Sequence, residues 1–247
     1  MDRRRIILAV FFVALAVAAL DVHSNGVEIL DDFGRLLSVR FGPPRPGQTR
    51  WDAPVRMTLT EARPAAGAET LVLDNTQRVL STLEQRRAEF SADSKALETF
   101  VRSEFETMFD RDYAARQVLG RHGRGADDAD IAYFADALAD SLLRRYGSSL
   151  LDFNTRLQAR IVSESALPRG LGVRVASELL RQGGEPIPMT FLLRQSGGTW
   201  KVFDVQVEGV SFVSTFRRQF DNELQNKSIR QVADELRGGQ VQVDAGL

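Results

Sequence analysis

The stretch WKVFDVQVEGVSFVSTFRRQF, residues 200–220, changes period halfway along. Its first half alternates. Phe203, Val205 and Val207 point to one side and Trp200, Val202, Asp204 and Gln206 to the other, the pattern of a strand with one buried face. Gly209 breaks that strand. Phe212, Val213, Phe216 and Phe220 then follow helical spacing, with Arg217 and Arg218 beside the apolar stripe. A strand therefore runs into an aromatic helix that carries two guanidiniums.

Upstream, the period of two continues. Leu157, Ala159 and Ile161 alternate with Arg156, Gln158 and Arg160; Val173, Val175 and Leu179 alternate with Arg174, Ala176 and Glu178. Ile187, Met189, Phe191 and Leu193 form the next apolar face, and Gly183-Gly184 and Gly197-Gly198 supply hairpin turns. With 200–207 this predicts four antiparallel strands, apolar on one face and wet on the other.

Before Asn154 the period is helical. Val72, Val79, Leu80 and Leu83 share a face, and Ser94 is the expected N-cap of a helix striped by Leu97, Phe100, Val101, Phe105, Met108 and Phe109. Asp110 is placed to cap a short helix that Gly120 stops, and Asp127, Asp128 and Asp130 suit the start of the next. That helix carries Ile131, Phe134, Ala135, Leu138, Leu142, Tyr146, Leu150 and Phe153. Ser228 caps a last helix, and 238–247 reads as a disordered tail. Helices followed by a meander give an α+β class, with N-terminal helices packed on a four-stranded antiparallel sheet.

The N-terminus has a different character. Arg3, Arg4 and Arg5 precede an unbroken apolar run over 6–20, shorter than the about 20 residues of a membrane span. Residues 1–20 are therefore expected to be a secretory signal, with an uncleaved anchor as the alternative. Residues 21–69 read as a linker-like extension, with proline and glycine in 42–47 and 62–67 and one short strand expected within 51–60. The main domain is expected over 70–237.

Composition excludes more than it selects. The 247 residues carry a net charge of −1, with 43% hydrophobic and 26% charged residues, an ordinary globular balance. Nothing marks the chain as a nucleic-acid binder. It has no cysteine, which removes disulfides, thiolate metal ligands and thiol nucleophiles.

Two blocks carry a family resemblance. Trp200, Phe203-Asp204-Val205, Val207-Glu208-Gly209-Val210-Ser211, Phe216-Arg217 and Gln219-Phe220 form the first. Phe109-Asp110 and Leu119-Gly120-Arg121-His122, followed by Phe134, Leu138, Leu142, Tyr146 and Leu150, form the second. Together they resemble the MlaC family, also called toluene-tolerance or ABC-transporter auxiliary proteins, over about residues 70–237. Thr215, Phe216 and Gly123 stand where that family usually has Asn, Tyr and Trp. The resemblance implies an NTF2-like cone with an apolar cavity, and a periplasmic carrier of phospholipid. By the same resemblance its partners are an inner-membrane ABC/MCE lipid-transport complex and an outer-membrane lipoprotein–porin complex. The phospholipid is cargo; no cofactor is expected.

The candidate lipid-lining residues are Phe105, Phe109, Phe134, Leu138, Leu142, Phe191, Leu193, Phe203, Val205, Val207, Val210, Phe212 and Phe216. Arg217 and Arg218 are the candidates for a headgroup or partner contact, since guanidinium matches phosphate and carboxylate oxygens in pairs. No catalytic or metal-binding residue is assigned. His122, on a Gly-rich turn, is the one histidine beyond the N-terminal region, and no nucleophile elbow, P-loop or dinucleotide motif is present. Two alternatives stay open: an NTF2-like isomerase or hydratase, drawing on Asp204, Tyr113 or Tyr146, and a periplasmic interaction module.

Overall fold

The computed structural model describes residues 27–30, 36–41, 55–59, 67–151, 157–181 and 184–244, with backbone only for the first three segments and without the side chains of 105, 106 and 148. The expected signal over 1–20 lies outside the described residues. The chain divides into two compact units, one within 20–66 and the main one from 67 onward. In the first, strands β1 (Val27–Leu30), β2 (Leu36–Phe41) and β3 (Val55–Leu59) form an antiparallel meander. β3 falls where one strand is expected; β1 and β2 are additional to it.

The main unit opens with five helices: α1 (Ala68–Gln85), α2 (Arg87–Ala92), α3 (Ser94–Met108), α4 (Arg111–Leu119) and α5 (Asp128–Tyr146). Strands β4 (Leu157–Ala166), β5 (Val173–Arg181), β6 (Ile187–Ser196), β7 (Thr199–Val207) and β8 (Val210–Ser211) follow, and then helices α6 (Phe212–Glu223) and α7 (Ile229–Gly238). The class is α+β. The sheet has five strands in the order β4-β5-β6-β7-β8, all antiparallel neighbours, where four are expected. The fifth arises because 208–209 is a two-residue turn: Glu208 and Gly209 both have positive φ, 51° and 82°. Such a turn suits the twist of a hairpin, so Val210 and Ser211 return onto Val207 and Gln206 before the helix begins.

Helix ends follow local chemistry. Asp110 accepts from the Tyr113 N–H as N-cap of α4. Ser228 and Gln231 form a reciprocal capping box at α7. At α3 the cap is Asp93, whose Oδ1 accepts from Lys95 N and Ala96 N, and not the expected Ser94. The tail is held as far as it is described: Val243 is buried, its carbonyl accepts from Tyr146 Oη, and Gln219 bonds Gln242 O and Asp244 N.

The core lies between the helices and one face of the sheet. Val175, Leu179, Ile187, Met189, Phe191, Leu193, Val202, Val205 and Val207 are all buried there. The strict alternation expected for β7 does not hold. Leu192 pairs with Asp204 and Leu193 with Val202, so Phe203 is an extra residue in a β-bulge. The bulge resets the parity: Val202, expected on the wet side with Asp204, is 0% exposed and packs in the core row with Val205 and Val207.

Candidate functional site

Three helices meet beside the bulged strand and leave a largely apolar cavity of about 60 Å³. Each contributes a stripe at helical spacing: Arg111, Ala114, Ala115 and Val118 from α4, and Ala135, Leu138, Ala139 and Leu142 from α5. From α6 come Phe212, Val213 and Phe216; Phe203, Asp204 and Val205 of β7, with Phe109, complete the wall. Phe109 bridges to Val202, and Asp110 N donates to Val202 O at 2.8 Å, which brings the start of α4 against β7. Arg194 reinforces this junction by pairing with Asp110 and lying 4.4 Å above the Tyr113 ring. Tyr113 in turn meets Phe203 edge-on, with ring centroids 5.2 Å apart.

Two ionisable residues stand in this wall. Arg111 is held to Asp136 of α5, an ion pair that ties α4 to α5 at the cavity's edge. Asp204 is only 6% exposed. Its Oδ2 accepts from Ser211 Oγ at 2.7 Å and its Oδ1 from Val213 N at 3.1 Å. Ser211 Oγ also accepts from Ser214 N, so acid and hydroxyl together satisfy the first turn of α6. Burial pushes the Asp204 carboxyl above its ordinary range, while Ser211, the backbone N–H groups of Val213 and Val205, and Arg217 pull it down.

Of the expected lipid-lining residues, the structure brings together Phe109, Leu138, Leu142, Phe203, Val205, Phe212 and Phe216. Phe191, Leu193 and Val207 lie in the packed core row instead. Phe134 is buried edge-on against Phe220, at 5.4 Å between centroids. Val210 sits half-buried in β8. The Phe105 side chain lies outside the described residues. The wall also holds residues that size-based reasoning passes over, namely Ala114, Ala115, Ala135 and Ala139. Their signal is the repeated spacing of small residues on two facing helices, since space is left where side chains are short.

Arg217 and Arg218 lie elsewhere, on a second and wider groove of about 780 Å³ lined also by Arg116, Arg121, Arg124 and Asp221. Arg217 Nε donates to the Gln117 carbonyl at 2.6 Å, near the end of α4. Its side chain passes over Gly120, whose φ is +55° and where a Cβ would stand 3.3 Å from Arg217 Cδ. His122 is half-buried and hydrogen-bonded to Asp221. Tyr146 lies under the tail, with its hydroxyl on the Val243 carbonyl. Among the described residues no cluster of three or more His, Cys, Asp or Glu is placed to hold a metal, and no helix is long and apolar enough to cross a membrane.

Comparison with known proteins gives three findings. A family model described as MlaC protein matches residues 73–238. The chain is 24% identical over 156 residues to the toluene tolerance protein Ttg2D of Pseudomonas putida, covering 63% of this chain and 72% of that one. Among solved structures, a phospholipid-binding protein from Ralstonia solanacearum, in complex with a phospholipid, matches with a TM-score of 0.62. That match covers 71% of this chain and 98% of the other at 20% identity, a likeness of fold.

Proposed function

The chain belongs to the MlaC protein family, and from that premise we propose that it is a periplasmic phospholipid carrier. It shields acyl chains within the helix-covered sheet, an NTF2-like cone, and moves lipid between membrane-bound transport complexes. The observation that carries this reading is the cavity wall, where three helices and β7 present apolar side chains with only Arg111 and Asp204 ionisable. Arg111, at that wall, is the cation best placed for a headgroup phosphate.

The energetics suit a carrier. A buried CH₂ is worth about 0.8 kcal/mol, so an acyl chain of some fourteen methylenes gains about 11 kcal/mol on leaving water. Between membrane and protein that term nearly cancels, because both are apolar, and direction is set by the partner complexes. The present cavity of about 60 Å³ is far below the roughly 300–1,000 Å³ of ordinary small-molecule sites. Lipid entry therefore requires α4 and α6 to part from β7 or from α5.

The deciding experiment is mass spectrometry of organic extracts from protein purified without detergent. Diacyl phospholipid near one molecule per protein is expected. Lipid-free protein that also takes up nothing from liposomes sinks the carrier and leaves the interaction module. An isomerase or hydratase draws on one observation, the buried Asp204 at the cavity. Its oxygens accept from Ser211 Oγ and the Val213 N–H, contacts that anchor the start of α6.

A further inference from the structure

The wide groove carries more positive charge than its own structure uses. Arg116 is tied to Asp128 and to the Gly123 carbonyl, and Arg121 pairs with Asp221 at 3.0 Å. Arg217 spends its Nε on a carbonyl and Arg218 reaches only the Thr215 hydroxyl, at 3.4 Å. Arg124 is exposed: its backbone N–H donates to the Arg121 carbonyl, while its guanidinium has no hydrogen bond or ion pair among the described residues. Three guanidiniums thus line the groove without a carboxylate in hydrogen-bond contact, Arg217 acting on Asp204 only through its charge, and Asp221 is the one acidic side chain in the lining. Asp221 Oδ1 accepts from His122 Nε2, and that contact holds the Asp221 carboxyl below its ordinary range, so the groove's own acid stays ionised and paired.

We infer that this groove docks an acidic peptide segment of a protein partner. Its shape favours a chain over a membrane. A flat anionic bilayer reaches guanidiniums that project, whereas this set lines a concavity of about 780 Å³, room for several side chains at once. The chemistry favours carboxylates presented in series, because spread guanidiniums make paired hydrogen bonds to successive acidic groups. The groove is also mechanically placed to report on the cavity. α4 and α6 supply walls to both, with Ala115 and Val118 on one side of α4 and Arg116 and Leu119 on the other, and Phe216 next to Arg217. The inference deepens the carrier reading by naming the kind of partner, and its binding test does not depend on lipid.

The test uses the full chain and fluorescein-labelled hexaglutamate as probe, read by anisotropy at low and moderate salt. Hexaglutamate is expected to bind with an affinity that falls as salt rises. Arg124→Glu is expected to weaken it about tenfold with folding and lipid content unchanged, since Arg124 touches neither core nor cavity. Asp221→Asn is expected to tighten it, because the groove loses its one negative charge and Arg121 is released; a merely structural role for Asp221 gives no gain. The inference is overturned if parent and Arg124→Glu bind the peptide equally, or if folded Asp221→Asn binds it more weakly. It is equally overturned if phosphatidylglycerol vesicles bind the protein and hexaglutamate neither binds nor competes, which makes the groove a membrane contact. Peptide binding by protein that proves lipid-free keeps the groove and removes the carrier; lipid without peptide binding does the reverse.

Discussion

Asp204 shows how one side chain can hold a wall in place at a cost that depends on pH. Its folded carboxyl keeps a proton to higher pH than the ordinary value of 3.8. Folding therefore takes up protons between the two values, and the stability gained from this group declines as pH rises from 3.8 through the folded value. Above that window its burial is a full penalty, offset by Ser211 and the Val213 N–H. Asp204→Asn is expected to keep an acceptor for Val213 and to remove this acid-range slope, measured by urea unfolding between about pH 3 and 6. Asp204→Ala leaves the Val213 N–H without its partner and is expected to cost about 1–3 kcal/mol at neutral pH. Equal pH profiles for parent and Asn variant contradict this account.

At the level of elements, the cavity is made by short side chains on α4 and α5 facing the bulge in β7. Ala139→Phe is expected to fill the space, so that retained lipid falls while the fold persists; mass spectrometry and circular dichroism read the two effects. Leu138→Asp or Phe203→Asp is expected to abolish retention, since a charge set against acyl chains costs several kcal/mol. Folded variants that keep their lipid remove these positions from the binding wall. Much of this architecture is legible in the sequence because it is local: periods of 2 and 3.6, hairpin glycines, and the caps at Asp110 and Ser228. The bulge is not, because an extra residue is defined by its partner strand; without β6, Val202 and Asp204 read as solvent-facing. β8 is likewise set by the turn geometry at Glu208, an ordinary residue held at positive φ. The cavity lining is less legible for a related reason. Large apolar residues mark cores and cavities alike, so Phe191, Leu193 and Val207 carry the same signal as Phe109 and Phe212, while the alanines that leave the room carry a weak one. At α3, Asp93 and Ser94 are both good caps, and only the backbone path chooses between them.

For the whole molecule, binding and stability are linked. A lipid that binds the folded state alone raises the midpoint of thermal unfolding, and incubation with phospholipid liposomes is expected to do so for delipidated protein. Hydrogen exchange in α4 and α6 is expected to change in the same experiment, because these are the walls proposed to part. No shift in melting and no change in exchange, with lipid demonstrably bound, places the cargo elsewhere. Opening also taxes the affinity: each 1.4 kcal/mol spent separating the walls loosens apparent binding about tenfold. The narrowness of the cavity, about 60 Å³, has one more effect. Among the described residues, the large apolar side chains left exposed are Val162 and Leu171. For the proposed carrier, walls this close together offer little grease to neighbouring proteins and no berth to stray oils, so the same closure that weakens its grip keeps its surface clean.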